Sequence, residues 1–112
     1  MNIEQFYEFC LSLGNVTEHM PFDKDTLVFK VNNKMFVLTS LKGWETGSPS
    51  VNVKCVPELA TGLREQYKAV EPGYHMNKKH WNTISINTDM STPLVLEQIK
   101  QSYELVAKKG QK

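Results

Sequence analysis

Residues 73 to 82, "GYHMNKKHWN", hold two of the three histidines, one of the two tryptophans and an adjacent lysine pair, and the chain from Pro72 to Thr88 carries no carboxylate. Four chemistries could use such a stretch. Metal binding is the least suited: His75 and His80 stand five residues apart, where a helical ligand pair prefers three or four, and no cysteine or acid flanks them. Catalysis would need a nucleophile with its base, or two matched acid–base groups. No serine or cysteine elbow, G-x-G-x-x-G or phosphate loop is visible, so neither an enzyme, a metal nor a cofactor is expected.

Packing and phosphate binding remain. In the packing reading Trp81 fills a gap between sheet and helix. Tyr74 and Met76 then point inward, the histidines satisfy backbone carbonyls, and Asn77 caps "NKKHW" as a single turn. In the phosphate reading a turn begun at Asn77 presents free backbone N–H groups. Lys78 and Lys79 add charge, and His75 and His80 add donors that strengthen when protonated. Lys30 and Lys54, with Asn52, Thr83 and Ser85, extend the polar surface from the outward side of the strands. Arg64 is the sole arginine, which argues against bidentate guanine readout. Contact of this kind would be weak and little dependent on sequence.

These residues sit in a chain of 112 residues, expected to form one domain over 1–112. Thirteen Lys plus Arg face twelve Asp plus Glu, a balance unlike that of a protein coated with nucleic acid. The balance is uneven, however: residues 1–25 carry five carboxylates against Lys24 alone, leaving the remainder basic. Cys10 and Cys55 form no C-x-x-C pair, "MNIEQFYEFC" lacks the basic start of a secretory signal, and no apolar run nears the ~18 residues of a membrane span. A cytoplasmic monomer with reduced, buried thiols and no membrane contact is expected.

The elements follow from periodicity. Asn2 and Gln5 form a capping box before the stripe Ile3, Phe6, Tyr7, Cys10, and Gly14-Asn15 stop the helix. "TEHMPFD" reads as a connection. "TLVFKV" and "KMFVLTSL" make strands joined by a tight Asn32-Asn33 turn. Residues 42–49 read as a flexible loop with Trp44 near its tip. "SVNVKC" alternates Val51, Val53 and Cys55 inward, which indicates a sheet buried on one side only. Pro57 opens a helix with the stripe Leu59, Leu63, Tyr67. A short extended piece (69–76) and "NTISIN" follow, then a final helix from Thr92-Pro93 with Val95, Ile99, Tyr103 and Val106, ended by Gly110. The order α-β-β-β-α-β-β-α predicts an α+β two-layer sandwich, an antiparallel sheet with helices on one face.

The segments "PFDKDTLVFKV", "KMFVLTSL", "VNVKCVPELATGLREQY" and above all "PGYHMNKKHWNTI" resemble the MmcQ/YjbR family over nearly the whole chain. The resemblance implies the small α+β fold of secretion chaperone-like and CyaY-like proteins, and a DNA-binding role with loops acting as paired wings. Two readings therefore stand. In one, DNA is contacted weakly through His75, Asn77, Lys78, Lys79 and His80, aided by Lys54 and Lys30. In the other, the chain is a chaperone-like protein-interaction module in which that segment is structural, and Trp44, Phe36 and Leu38 form an apolar outward patch.

Overall fold

The computed structural model describes residues 1–73 and 76–109. In chain order the elements are α1 (Ile3–Ser12), β1 (Val16–His19), β2 (Thr26–Val31), β3 (Lys34–Ser40), α2 (Leu41–Glu45), β4 (Ser50–Lys54), α3 (Pro57–Gln66), β5 (Val70–Pro72), β6 (Trp81–Ser85) and α4 (Thr92–Lys109). Every strand pair is antiparallel, and the sheet runs β1-β2-β3-β4-β6-β5. The protein is an α+β sandwich.

Local chemistry sets the element ends. Asn2 caps α1 in a reciprocal box, its side chain accepting from the Gln5 N–H while Gln5 accepts from the Asn2 N–H. The chain leaves α1 through Gly14 and Asn15, both at positive φ. Asn32 and Asn33 take φ of 51° and 62°, the left-handed pair that a two-residue hairpin turn requires.

The main core lies between the sheet and α1, α3 and α4. It joins Phe6 and Cys10 to Leu27, Phe29, Val51, Val53, Ile84, Ile86 and Ile99, with Leu63 and Tyr103 half-buried at its margin. All of these match the alternation read from sequence. A β-bulge breaks the pattern on β3: Phe29 pairs with Val37 but Lys30 pairs with Met35, so Phe36 is an extra residue. The bulge turns Phe36 and Val37 both toward the helices, where Phe36 meets the Tyr103 ring edge-on at 5.3 Å. Ser102 of α4 repairs the broken ladder, donating to the Phe36 carbonyl at 2.6 Å and accepting from the Lys54 N–H at 2.8 Å. Ser102 is fully buried. Ser102→Ala takes away the hydroxyl that both backbone groups use, and should cost about 1–3 kcal/mol in denaturant unfolding. A loss below ~0.5 kcal/mol, the scale of an inert surface change, would contradict this bridging role.

Several elements depart from the sequence reading. The connection after α1 contains an edge strand, β1, whose residues Val16 to His19 pair with Val31 to Val28. Residues 41–45 form a short helix instead of a flexible loop, capped by Ser40 and tied down where Asp25 accepts from the Ser40 hydroxyl and the Lys42 N–H. Trp44 is consequently no exposed tip: its indole N–H donates to Thr39 Oγ1 at 2.9 Å and its ring lies 5.5 Å from that of Phe6. On α3 the buried residue is Ala60, while Leu59 is 57% exposed, because the stripe sits one position further along than Leu59 suggested. The end of α4 at Gly110 lies outside the described residues.

The sheet is also not apolar on one side alone. Val28, Leu38 and Trp81 form a second, small buried cluster on the outer face, with Met35 and Met76 packed against it. Of the proposed outward patch only Leu38 lies there, since Phe36 and Trp44 belong to the helix-side core.

Candidate functional site

The segment after β5 is built around Asn77. Its side-chain oxygen accepts from the Lys79 N–H at 3.0 Å, and its carbonyl accepts from His80 and Trp81 at 3.1 and 3.0 Å. Asn77 therefore does cap a single turn, but the cap takes up the Lys79, His80 and Trp81 amides, most of those a phosphate would use. Phosphate contact here rests on side chains. Lys78 and Lys79 are exposed and His80 is half-buried. The Lys78 ammonium folds back to the Gly73 carbonyl at 3.3 Å. His75 and Tyr74 lie outside the described residues.

Three features hold this turn in place. His80 offers its carbonyl to the Cys55 N–H at 2.8 Å, docking the turn onto the end of β4. Gly73 donates to the Trp81 carbonyl at 2.8 Å, and a Cβ on Gly73 would fall 2.8 Å from the Trp81 Cβ. Glycine is needed there for close approach. Arg64 supplies the third tie. From α3 its guanidinium donates to Asn82 Oδ1 at 2.7 Å, to the Trp81 carbonyl at 3.2 Å and to the Lys78 carbonyl. The sole arginine is thus a structural clamp on the lysine turn. Its signal in the sequence was its position four residues after Ala60, which places both on the sheet-facing side of α3.

Trp81 is buried, but on the other face from the one expected. Its cross-strand partner is Lys54, and the alternation of β6 puts it with Thr83 on the outer side, opposite Asn82 and Ile84. The same registers align the remaining candidates. Lys30 pairs with Met35 on the outer face, and Lys54, opposite Trp81, occupies the neighbouring strand at the same end of the sheet. Lys30 and Lys54 stand two strands apart, about 10 Å at ordinary strand spacing. Both are half-buried.

Toward the other end of these strands, past the Val28–Leu38–Trp81 cluster, the outer face is hollowed into a groove of about 830 Å³. Its floor includes Leu38, Asn52 and Thr83, and its walls are Phe22 on one side and Pro72, Met76 and Lys78 on the other. Among the described residues no three His, Cys, Asp or Glu side chains gather as metal ligands would. Burial pushes the Cys10 thiol well above its ordinary range. It also raises Cys55, against an opposing pull from the Arg64 guanidinium. Both thiols are held protonated, away from the thiolate that nucleophilic chemistry uses.

The YjbR family model matches residues 11–105. The chain belongs to the YjbR family. Within it, YbdF of Escherichia coli O157:H7 is 36% identical over 96 residues, covering 82% of this chain and 76% of that protein. YjbR of Escherichia coli K12 is 28% identical over 104 residues, covering 93% and 86%. The crystal structure of Deinococcus radiodurans DR2400, with its DUF419 domain, superposes with a TM-score of 0.90 at 34% identity, covering 99% of this chain and 82% of that one. A Pseudomonas syringae protein superposes at 0.80 with 27% identity, covering 95% and 99%. No helix among the described residues is long and apolar enough to cross a membrane.

Proposed function

We propose that this YjbR-family protein is a cytoplasmic nucleic-acid-binding protein, not an enzyme, which contacts phosphates weakly and with little sequence preference. The observation that carries the reading is the alignment of Lys30 and Lys54 across the outer face, at the end of the sheet where β4 docks the turn bearing exposed Lys78 and Lys79. Such cations fix a backbone without reading its bases. The Arg64 clamp holds the turn in one shape, which lowers the ordering cost of binding. His75 joins this reading through its place in the motif alone.

Replacing Lys78 and Lys79 together by alanine should weaken duplex DNA binding at low salt. It should flatten the dependence of log affinity on log salt by up to about two units, as expected for two lost phosphate contacts. Unrelated duplex sequences should suffer alike. Both residues are exposed, and the bond that the change removes, from Lys78 Nζ to the Gly73 carbonyl, is long at 3.3 Å, so thermal stability should change little. Fluorescence anisotropy over a salt series, with melting in parallel, checks all three. A wild-type protein without duplex affinity at low salt would overturn the proposal, and an unchanged double variant would remove the site from this turn.

The alternative, a protein-interaction module, is supported by one observation: Gly73, Arg64 and Trp81 give the segment a structural task. Its apolar surface would then be Met20 and Phe22, 43% and 62% exposed, in place of Trp44 and Phe36.

A further inference from the structure

We infer that the outer-face groove is a pocket for an unpaired base of single-stranded nucleic acid, an assignment that rests on the phosphate-contact reading above. At about 830 Å³ it falls within the size range of small-ligand sites, roughly 300–1,000 Å³. Its floor hydrogen-bonds without carrying net charge. Thr83 donates to Asn52 Oδ1 at 2.5 Å, which leaves the Asn52 amide nitrogen as the donor to face an occupant.

The walls suit a flat ring. Phe22 is 62% exposed at the groove's edge, opposite Pro72 and Met76. Its loop is anchored, because Asp23 accepts from the Asp25 and Thr26 N–H groups at 2.9 and 2.7 Å. Those bonds hold the Asp23 carboxyl below its usual range, keeping it ionised. An exposed aromatic ring on a loop at the margin of a sheet surface can stack a single-strand base.

Charge decides where the phosphates go. Asp23 and Glu71 both line the groove and repel an anion from its floor. Lys78 stands on its wall, and Lys54 follows Asn52 on the same face of β4, just outside the lining. The fitting ligand is a neutral hydrogen-bonding ring with its anionic backbone outside. A paired base cannot enter, since duplex stacking holds it away. An extended peptide adding as a strand is disfavoured too: β3, β4 and β6 are each already paired on both sides, and the free edge of β5 is 3 residues long and ends in Pro72.

The test compares a fluorescent oligothymidylate with an abasic strand of equal length and a duplex, all at one low salt concentration. The wild-type protein should bind the thymidylate about tenfold or more tightly than the abasic strand, the scale of base–aromatic stacking. Phe22→Ala and Asn52→Ala should each shrink that gap without unfolding the protein, as melting would confirm. Amide resonances of Asn52 and Thr83 should shift with the thymidylate and not with the abasic strand. Equal affinity for both strands would overturn the pocket while leaving the lysine contacts standing. Absence of binding to all three probes would overturn both readings. Shifts at Asn52 and Thr83 with an uncharged oligoproline peptide, but none with thymidylate, would assign the groove to a protein partner and overturn it as well.

Discussion

Arg64→Ala should unfold at markedly lower denaturant, with a loss of about 3 kcal/mol, although it removes an apparently ordinary helix cation. The three acceptors it leaves are not equivalent. The Lys78 carbonyl belongs to an exposed residue and can turn to water. The Trp81 carbonyl keeps its bond from the Gly73 N–H. Asn82 is the costly partner: it is 1% exposed, its Oδ1 is held by Arg64, and its Nδ2 has no hydrogen bond among the described residues. A buried acceptor stripped of a charged donor costs roughly 1–3 kcal/mol, and lost packing of the guanidinium stem adds to it. Lysine should rescue only in part, because one ammonium cannot reproduce a planar fork reaching three acceptors. Pairing Arg64→Ala with Asn82→Ala in a double-mutant cycle should give a coupling above ~0.5 kcal/mol. Hydrogen exchange at the His80 and Trp81 amides should accelerate in the single variant. A loss below ~0.5 kcal/mol would mean that the turn holds without its clamp.

Trp81→Ala should cost about 3 kcal/mol, at the low end of the range for deleting a buried aromatic ring. The indole is 8% exposed and lies among Val28, Leu38, Met35 and Met76. That cluster is small and borders an open groove, so Met76 can settle into the void or water can enter it. A ring enclosed between sheet and helices, such as Phe29, would leave a void with no such relief. For a domain of this size the melting temperature should fall by roughly 10–15 °C. The remaining Trp44, packed on Phe6, reports unfolding by fluorescence. A loss above ~5 kcal/mol would indicate a sealed site. A stable variant that had lost nucleic-acid binding would make Trp81 a ligand contact.

Much of the helix-side architecture was legible because it rests on local rules. The Asn2–Gln5 box, the Asn32-Asn33 turn and the inward alternation of Val51, Val53, Ile84 and Ile86 each depend on residues within a few positions of one another. Their identities alone select the conformation. The motif that marked the family was legible too, as was Asn77 as its capping residue.

What the tertiary structure decided involves partners distant in sequence. Nothing local says that Phe36 is a bulge residue, since the bulge is a register shift against β2 that Ser102, 66 residues away, makes tolerable. Trp44 reads as exposed because its ring partner, Phe6, reaches it only when α1 docks on the sheet. The size of Trp81 and its place at a strand start predict burial, but its face depends on strand register, and a shift of one residue exchanges the two sides of a sheet. The candidate site shows the same division. Residue types in "NKKHW" marked where cations gather. The clamp from Arg64, the row of Lys30 and Lys54, and the groove between Phe22 and Met76 exist only once β2, β3, β4 and β6 lie side by side, because each joins chain segments that no sequence window contains.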